Sequence, residues 1–141
     1  MEAELFFNRG VEKTRIKDLV GAIEDFTTAI DLSSGTVKKT LTTNLDDGST
    51  QHVNVFENSE GYANMYFNRA CAYMDLGNYM DAIYDLSKVI QYTPNDAEAY
   101  FKRAISNYCI ENDEESNRDL ATANNLNSIY NQELFTSIFG N

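Results

Sequence analysis

The sequence is poor in the residue types that build most catalytic, metal and disulfide sites. It contains one histidine, two cysteines, one proline and no tryptophan among 141 residues. Two cysteines make no disulfide framework and suit a reducing compartment, so we expect a cytoplasmic protein. No apolar run approaches the roughly 20 residues of a membrane helix. These absences argue against secreted disulfide scaffolds, metalloproteins and membrane-spanning proteins, and we expect no metal and no cofactor.

Basic residues are also scarce. The chain has 11 lysines and arginines against 22 aspartates and glutamates, for a net charge of -11 and a pI near 4.3. Nucleic acids and anionic membrane surfaces bind to basic faces, so we expect neither as a partner. The apolar fraction of 43% and the chain length are ordinary for one globular domain.

What the sequence does contain is an internal repeat. Residues 66–70 read Tyr-Phe-Asn-Arg-Ala and residues 100–104 read Tyr-Phe-Lys-Arg-Ala, so the motif recurs after about 34 residues. A third copy, Phe-Phe-Asn-Arg-Gly, stands at residues 6–10, further from the second copy than the second is from the third. The longer interval equals one repeat of about 34 residues plus about 26 extra residues.

Each copy carries two apolar stripes of helical period. In the middle copy the first stripe ends at Gly77, a residue that accepts the left-handed conformation without steric cost. The second stripe is stopped by Pro94. Small residues at Gly10, Ala70 and Ala104 fall where two helices must approach closely. The pattern predicts antiparallel helical hairpins.

This pattern resembles the tetratricopeptide repeat (TPR) family, whose motif is matched in the middle copy by Tyr66, Ala70, Tyr73, Ala82, Leu86 and Pro94. The first copy has Lys13 where Tyr is expected, and the third lacks a closing Pro. The resemblance implies an all-α fold, a right-handed superhelical stack of three antiparallel helix-turn-helix repeats in one domain. We place repeat 1 at residues 3–34, an insertion at 35–60, repeat 2 at 63–96, repeat 3 at 97–128 and a short C-terminal capping helix at 129–139.

The insertion differs in composition from the repeats. It is rich in Thr and Val and contains Asp47-Gly48, a hairpin-turn signal, so a β-hairpin is our interpretation and a disordered loop is the alternative. In the capping helix we expect Leu134, Phe135 and Ile138 to cover the open apolar face of the last repeat.

Candidate catalytic groups are isolated. His52 lies in the presumed hairpin with no second histidine or cysteine near it in sequence, and we interpret it as an exposed strand residue. Cys71 and Cys109 lie on helix faces without an identifiable base, as buried structural thiols do. The acidic run at residues 113–115 complements a helix dipole. We therefore predict that the protein is not an enzyme.

One Arg and one Asp recur in every copy, always at the same separation. We expect these charges to form partly buried structural ion pairs that fix the helix register, within a repeat or from Asp25 to Arg69 across repeats. A row of anion-binding arginines is the alternative. The pairs are Arg9 with Asp25, Arg69 with Asp85, and Arg103 with Asp119.

The TPR resemblance also places a peptide-binding groove on the first helices of the repeats, which line the concave side of such a stack. An apolar floor edged by polar residues would suit a short extended or helical peptide, whereas aromatics that only pack between helices are the alternative. The groove residues are Phe7, Asn8, Val11, Asn64, Phe67, Asn68, Cys71, Met74, Phe101, Lys102, Ile105 and Tyr108.

Chaperone-binding members of the family grip acidic C-terminal tails with five polar residues, and we do not expect that partner here. The matching positions hold Phe7, Val11, Asn68, Glu98 and Lys102, which retain one Asn and one basic residue. Arg provides a planar fork that Lys cannot copy.

Two functions follow from the sequence. The first is a non-catalytic protein-interaction module that holds a partner peptide or protein in the groove. The alternative is a structural module that forms a homo-oligomer through the inserted hairpin or the helical end faces.

Overall fold

The computed structural model describes residues 2–34, 39–44, 50–55 and 59–139. In these ranges six helices form three antiparallel hairpins, and a seventh helix follows the last of them. Consecutive hairpins stack because the second helix of one packs on the first helix of the next. The helices are α1 (Glu2–Arg15), α2 (Leu19–Ser34), α3 (Ser59–Asp75), α4 (Tyr79–Tyr92), α5 (Ala97–Cys109), α6 (Asp113–Leu126) and α7 (Gln132–Phe139).

The three hairpins turn at equivalent repeat positions, each occupied by a residue with positive φ. Lys17, Gly77 and Glu111 have φ of 67°, 79° and 63°. The next amide donates to the carbonyl five positions back in every turn, as Asn78 does to Tyr73 at 2.8 Å. This is the Schellman arrangement, which satisfies carbonyls at a helix end. Only the middle repeat uses glycine there, so the other two turns carry a side chain in a costly conformation.

Inside each hairpin the two helices meet at a small residue that faces a large one. The small residue is Gly in the first repeat and Ala in the others, and all three are buried. Gly10 lies against Phe26, and at the equivalent positions Ala70 shares a core cluster with Leu86, and Ala104 with Leu120. The first repeat therefore combines the smaller residue, Gly10, with the larger side chain, Phe26.

α3 starts at Ser59, four residues before residue 63, at which we place the start of repeat 2. This extra turn is packed against the end of α4: Tyr62 is 6% exposed, and its ring stacks on Tyr92 with centroids 5.6 Å apart. Aromatic stacking of this kind stabilises the added turn.

The insertion contains two strands, β1 (Lys39–Asn44) and β2 (Thr50–Val55). They pair antiparallel, with Lys39 opposite Val55 and Asn44 opposite Thr50. The predicted Asp47-Gly48 turn lies outside the described residues, as do the side chains of both strands, His52 included.

α7 begins at Gln132 rather than at residue 129, since the Asn131 side chain accepts a hydrogen bond from the Leu134 amide and caps the helix. Phe135 is 6% exposed and occupies the position that follows Phe101 by one repeat length, so α7 is in phase with the first helices of the repeats. Leu134 and Ile138 are 38% and 49% exposed.

The expectation that Leu134 and Ile138 cover the last repeat was therefore wrong. Leu134 and Ile138 occupy the positions that follow Tyr100 and Ala104 by one repeat length. Ala104 lies in the core, where α5 packs on α6. Within the described part of the chain, the Leu134 and Ile138 side chains are both exposed. Phe135, Tyr130 and Phe139 provide the cover instead. No helix described in the chain is both long and apolar enough to cross a bilayer.

Candidate functional site

Each of the three Arg–Asp pairs meets inside its own repeat. In every copy the arginine Nε and one Nη donate to the two carboxylate oxygens at 2.7–2.8 Å, which is the two-point geometry of strong charge-assisted hydrogen bonds. Asp25 therefore pairs with Arg9 and not with Arg69 of the next repeat. Each guanidinium in the row is neutralised by a buried carboxylate of its own hairpin.

The arginines also join neighbouring repeats, which the sequence reasoning missed. Arg69 Nη1 donates to Thr27 Oγ1 at 3.0 Å, and Arg103 Nη1 donates to Ser87 Oγ at 3.1 Å. Both hydroxyls lie on the second helix of the preceding repeat. The sequence contains a pattern that predicts these contacts: Thr27 and Ser87 occupy equivalent repeat positions, and each follows the aspartate of its own repeat by two positions.

The same ion pair has different electrostatics in the first and second repeats. In the first, the hydrogen bond from Arg9 lowers the pKa of Asp25, helped by Lys13 with Nζ at 3.1 Å. In the second, burial raises the pKa of Asp85 by more than Arg69 lowers it. The Arg9 side chain is 56% exposed, whereas that of Arg69 is 13% exposed. The opposite directions follow from the deeper burial of the second pair and from Lys13, whose position in the second repeat is occupied by Tyr73.

Two open depressions lie between the first helices of successive repeats. The first, of about 600 Å³, is bounded by α1, the end of α2 and the start of α3. The second, of about 250 Å³, is bounded by α3, the end of α4 and the start of α5. Asn64 lines both, and together they are called the groove below.

The groove takes in four of the predicted groove residues. Phe7 and Asn8 line the first depression, Phe67 lines the second, and Asn64 is common to both. Phe7 and Phe67 are half-buried and occupy equivalent repeat positions. Asn68, one turn after Asn64, donates its side-chain amide to the Asn64 carbonyl at 2.8 Å.

Phe101 belongs to the core and not to an open floor. It is 5% exposed, and its ring centroid lies 5.0 Å from that of Tyr130 and 6.1 Å from that of Phe135. Ile105 packs against the same cluster, and Tyr108 contacts Phe139 with ring centroids 4.3 Å apart. We expected Phe101 to lie on the floor of the groove with Phe7 and Phe67, but α7 covers it.

The other predicted groove residues line neither depression. Val11, Cys71, Met74 and Lys102 are half-buried. Met74 packs on the core of the second repeat. Lys102 lies over the Phe67 ring, with Nζ 5.8 Å from the centroid, and reaches Glu98 at 4.0 Å.

Several lining residues were not among the predicted site residues. Ser33 and Thr93 come from equivalent ends of α2 and α4, so aligning the second helices would have revealed them. Five carboxylates also line the groove, two in the first depression and three in the second: Glu2, Glu4, Glu60, Asp96 and Glu98.

The described residues contain few groups that could catalyse a reaction. Burial raises the pKa of Cys71, so its thiol is protonated at neutral pH and is a weak nucleophile. Among the described residues no three His, Cys, Asp or Glu side chains converge as metal ligands.

The comparisons with known proteins agree with this architecture. A family model described as TPR repeat matches residues 70–108, from the middle of α3 into α5. No curated protein matches the chain by sequence.

Solved structures with the same fold cover nearly the whole chain. The first TPR of Spaghetti (RPAP3) bound to HSP90 peptide SRMEEVD has a TM-score of 0.65 at 17% identity, over 90% of this chain and 80% of that one. The Arabidopsis OM64 TPR domain has a TM-score of 0.66 at 20% identity, over 90% and 84%. The TPR2B domain of yeast Sti1, in a complex with pHsp70, has a TM-score of 0.66 at 22% identity, over 91% and 82%.

The repeat motif, the stacked hairpins and these matches lead to one assignment. The chain has the fold of tetratricopeptide repeat proteins, and its residues 70–108 match the TPR repeat family model.

Proposed function

We propose that this chain is a non-catalytic protein-interaction module that holds a partner peptide or protein in the groove. The observation that carries the proposal is the placement of Phe7 and Phe67. Both are half-buried aromatic side chains that line open depressions at equivalent positions of successive repeats. An apolar floor with polar edges is the arrangement that binds peptide side chains.

Related folds bind peptides, which supports the proposal. The structures of RPAP3 and Sti1 named above contain an HSP90 peptide and pHsp70 respectively. The two free cysteines, Cys71 and Cys109, suit the reducing environment of the cytoplasm, which is the location we propose.

We also propose that acidic chaperone tails are not the partner. A carboxylate-binding clamp needs free cations, and the basic group at the clamp positions is Lys102. Its ammonium is shared between Glu98 and the Phe67 ring. Glu98 itself stands at a clamp position and would repel a carboxylate.

Affinity capture from the native cell extract tests the groove. Phe67→Glu places a charge on the floor, and we expect it to lose the partner that the wild type retains. Tyr84→Glu is the matched control, because Tyr84 is 59% exposed on α4 and lines neither depression. Circular dichroism must show the same helix content in both variants. Equal retention of every partner by wild type and Phe67→Glu would contradict the proposal.

A second candidate function, self-association, is favoured by the end face of α7. Leu134 and Ile138 are exposed there, and nearby Ile129 is 59% exposed. Light scattering over a concentration series would detect a dimer. A dimer abolished by Leu134→Glu with Ile138→Glu would support this function, and one abolished by removing residues 35–58 would assign it to the insertion.

A further inference from the structure

The groove is bordered by negative charge. Glu2 and Glu4 line the first depression, and Glu60, Asp96 and Glu98 line the second. Neither depression is lined by a lysine or an arginine from the described parts of the chain.

Most of these carboxylates keep their charge available. Glu2, Glu4, Glu60 and Glu98 are exposed. Within the described ranges, Glu98 is the member of this set with an ion-pair partner, Lys102, at the long distance of 4.0 Å. Asp96 accepts a hydrogen bond from the Ala99 amide as the N-cap of α5, which leaves its charge in place.

These charges contrast with those elsewhere in the protein. The buried aspartates of the repeats are each neutralised by an arginine of the same hairpin. Within the described ranges the groove carboxylates other than Glu98 form no ion pair, so five carboxylates outweigh the Lys102 ammonium that lies over Phe67. The net charge of -11 adds negative potential over the whole molecule.

We propose that the groove selects a basic peptide: a segment in which apolar side chains alternate with lysine or arginine. This inference rests on the proposed function, since it names the class of partner for the same groove. The apolar side chains of the peptide would contact Phe7 and Phe67. The cations of the peptide would lie against the carboxylates of the two depressions. The exposed side-chain amide of Asn64, which lines both depressions, would form hydrogen bonds with the peptide backbone.

Charge complementarity is the physical reason for this choice. Opposite charges across an interface speed association and exclude partners of the wrong sign, and both effects weaken as salt rises. An acidic segment would be repelled by five carboxylates. A neutral segment would gain only the apolar contact.

Selection from a random twelve-residue peptide library displayed on phage tests the proposal with the full chain. The library contains Lys, Arg, Asp and Glu at equal frequency. We expect peptides selected by the wild type to be enriched in Lys and Arg over Asp and Glu. Their affinity should fall about tenfold when salt is raised from low to physiological concentration or above.

Charge-reversed variants then locate the effect. Glu4→Lys and Glu98→Lys should each weaken the selected peptides by about tenfold. Glu24→Lys is the matched control, because Glu24 is exposed on α2, lines neither depression and changes the net charge equally. We expect that control to retain binding.

The possible failures are distinguishable. Selected peptides that are neutral or acidic but require Phe67 would overturn the charge inference and leave the proposed function standing. Equal weakening by Glu24→Lys would mean that attraction is to the whole molecule and not to the groove, which also overturns the inference. Peptides that bind equally to Phe67→Ala, which removes the ring without adding a carboxylate, or no enrichment at all, would count against the proposed function itself.

Discussion

Arg69 and Asp85 form a two-point ion pair inside the second repeat, with Nε–Oδ2 and Nη2–Oδ1 distances of 2.8 and 2.7 Å. Their side chains are 13% and 1% exposed. The third guanidinium nitrogen donates to Thr27 of the preceding repeat, so all three nitrogens are engaged. One side chain therefore connects both helices of its own hairpin with the neighbouring hairpin.

Breaking this pair should cost considerable stability. We expect Arg69→Met to lower the free energy of unfolding by about 3–5 kcal/mol, because it leaves the buried Asp85 carboxylate without its partner. Asp85→Asn should cost less, because burial already raises the pKa of Asp85 and disfavours its charged form. The double variant should lose much less than the sum. Urea denaturation measures all three values. Arg9→Met is the control: that arginine is 56% exposed and Asp25 keeps Lys13 as a partner, so the loss should cost about 1 kcal/mol. Small, purely additive losses would show that the pair contributes little.

The first and second repeats should respond oppositely to acid. In the folded protein the pKa of Asp25 lies below its ordinary value of 3.8. The pairing of Asp25 therefore stabilises the fold above pH 3.8, and this stabilisation is lost as the pH falls through the lowered pKa. We therefore expect the stability gap between wild type and Asp25→Asn to narrow below about pH 3.8. Urea denaturation from pH 7 to pH 2 measures the gap.

Asp85 provides the internal comparison for that experiment. Its pKa is raised above 3.8, so the folded state binds the proton more tightly than the unfolded chain does. The stability of the wild type relative to Asp85→Asn should therefore rise as pH falls. Parallel pH profiles for the two variants would contradict this difference between the end and the middle of the stack.

Gly10 is required by the ring beside it. A Cβ at this position would lie 2.7 Å from Phe26 Cε1 and 2.9 Å from its Cδ1. Because Phe26 is fully buried, the ring has little room to move. We expect Gly10→Ala to lower the free energy of unfolding by about 1–3 kcal/mol.

The other repeats suggest how to reverse that loss. They combine Ala with Leu at the same two positions, Ala70 with Leu86 and Ala104 with Leu120. Gly10→Ala combined with Phe26→Leu should therefore be more stable than Gly10→Ala alone, as thermal unfolding would show. A double variant less stable than Gly10→Ala would refute the size relationship.

The turn of the first repeat can be improved. Lys17 holds φ at 67°, where a side chain is strained and glycine is not. We expect Lys17→Gly to stabilise the protein by about 0.5–1 kcal/mol, and Gly77→Ala to destabilise it by about 1 kcal/mol. Lys88→Gly in the interior of α4 is the control, and it should cost about 1 kcal/mol. A loss of stability in Lys17→Gly would show that the Lys17 side chain makes a contact that outweighs the strain.

Much of the architecture could be predicted because it is repeated. The motif copies at residues 6–10, 66–70 and 100–104 located the three hairpins, and Gly77 and Pro94 marked the turns of the middle one. Local chemistry was enough here, since helical period and turn residues act over a few positions. The extra turn of α3 was not predicted because it depends on Tyr62 meeting Tyr92, which lies at the far end of the next helix.

The candidate site was predicted only in part. Repeat phase correctly related Phe7, Phe67 and Phe101, but it assigned them the same environment. A repeat position fixes the direction of a side chain relative to its own hairpin and says nothing about which element lies over it.

The sequence by itself thus determined the repeated unit: the helical hairpin, the turn at Gly77, the small residues where its helices meet and the recurring Arg and Asp. Tertiary structure alone decided that Arg69 also binds Thr27, that α7 covers Phe101, and that the pKa values of Asp25 and Asp85 shift in opposite directions. The reason is that equivalent repeat positions acquire different neighbours and different access to water at the end and in the middle of a stack. Burial and pairing, unlike helical period, are properties of the assembled chain.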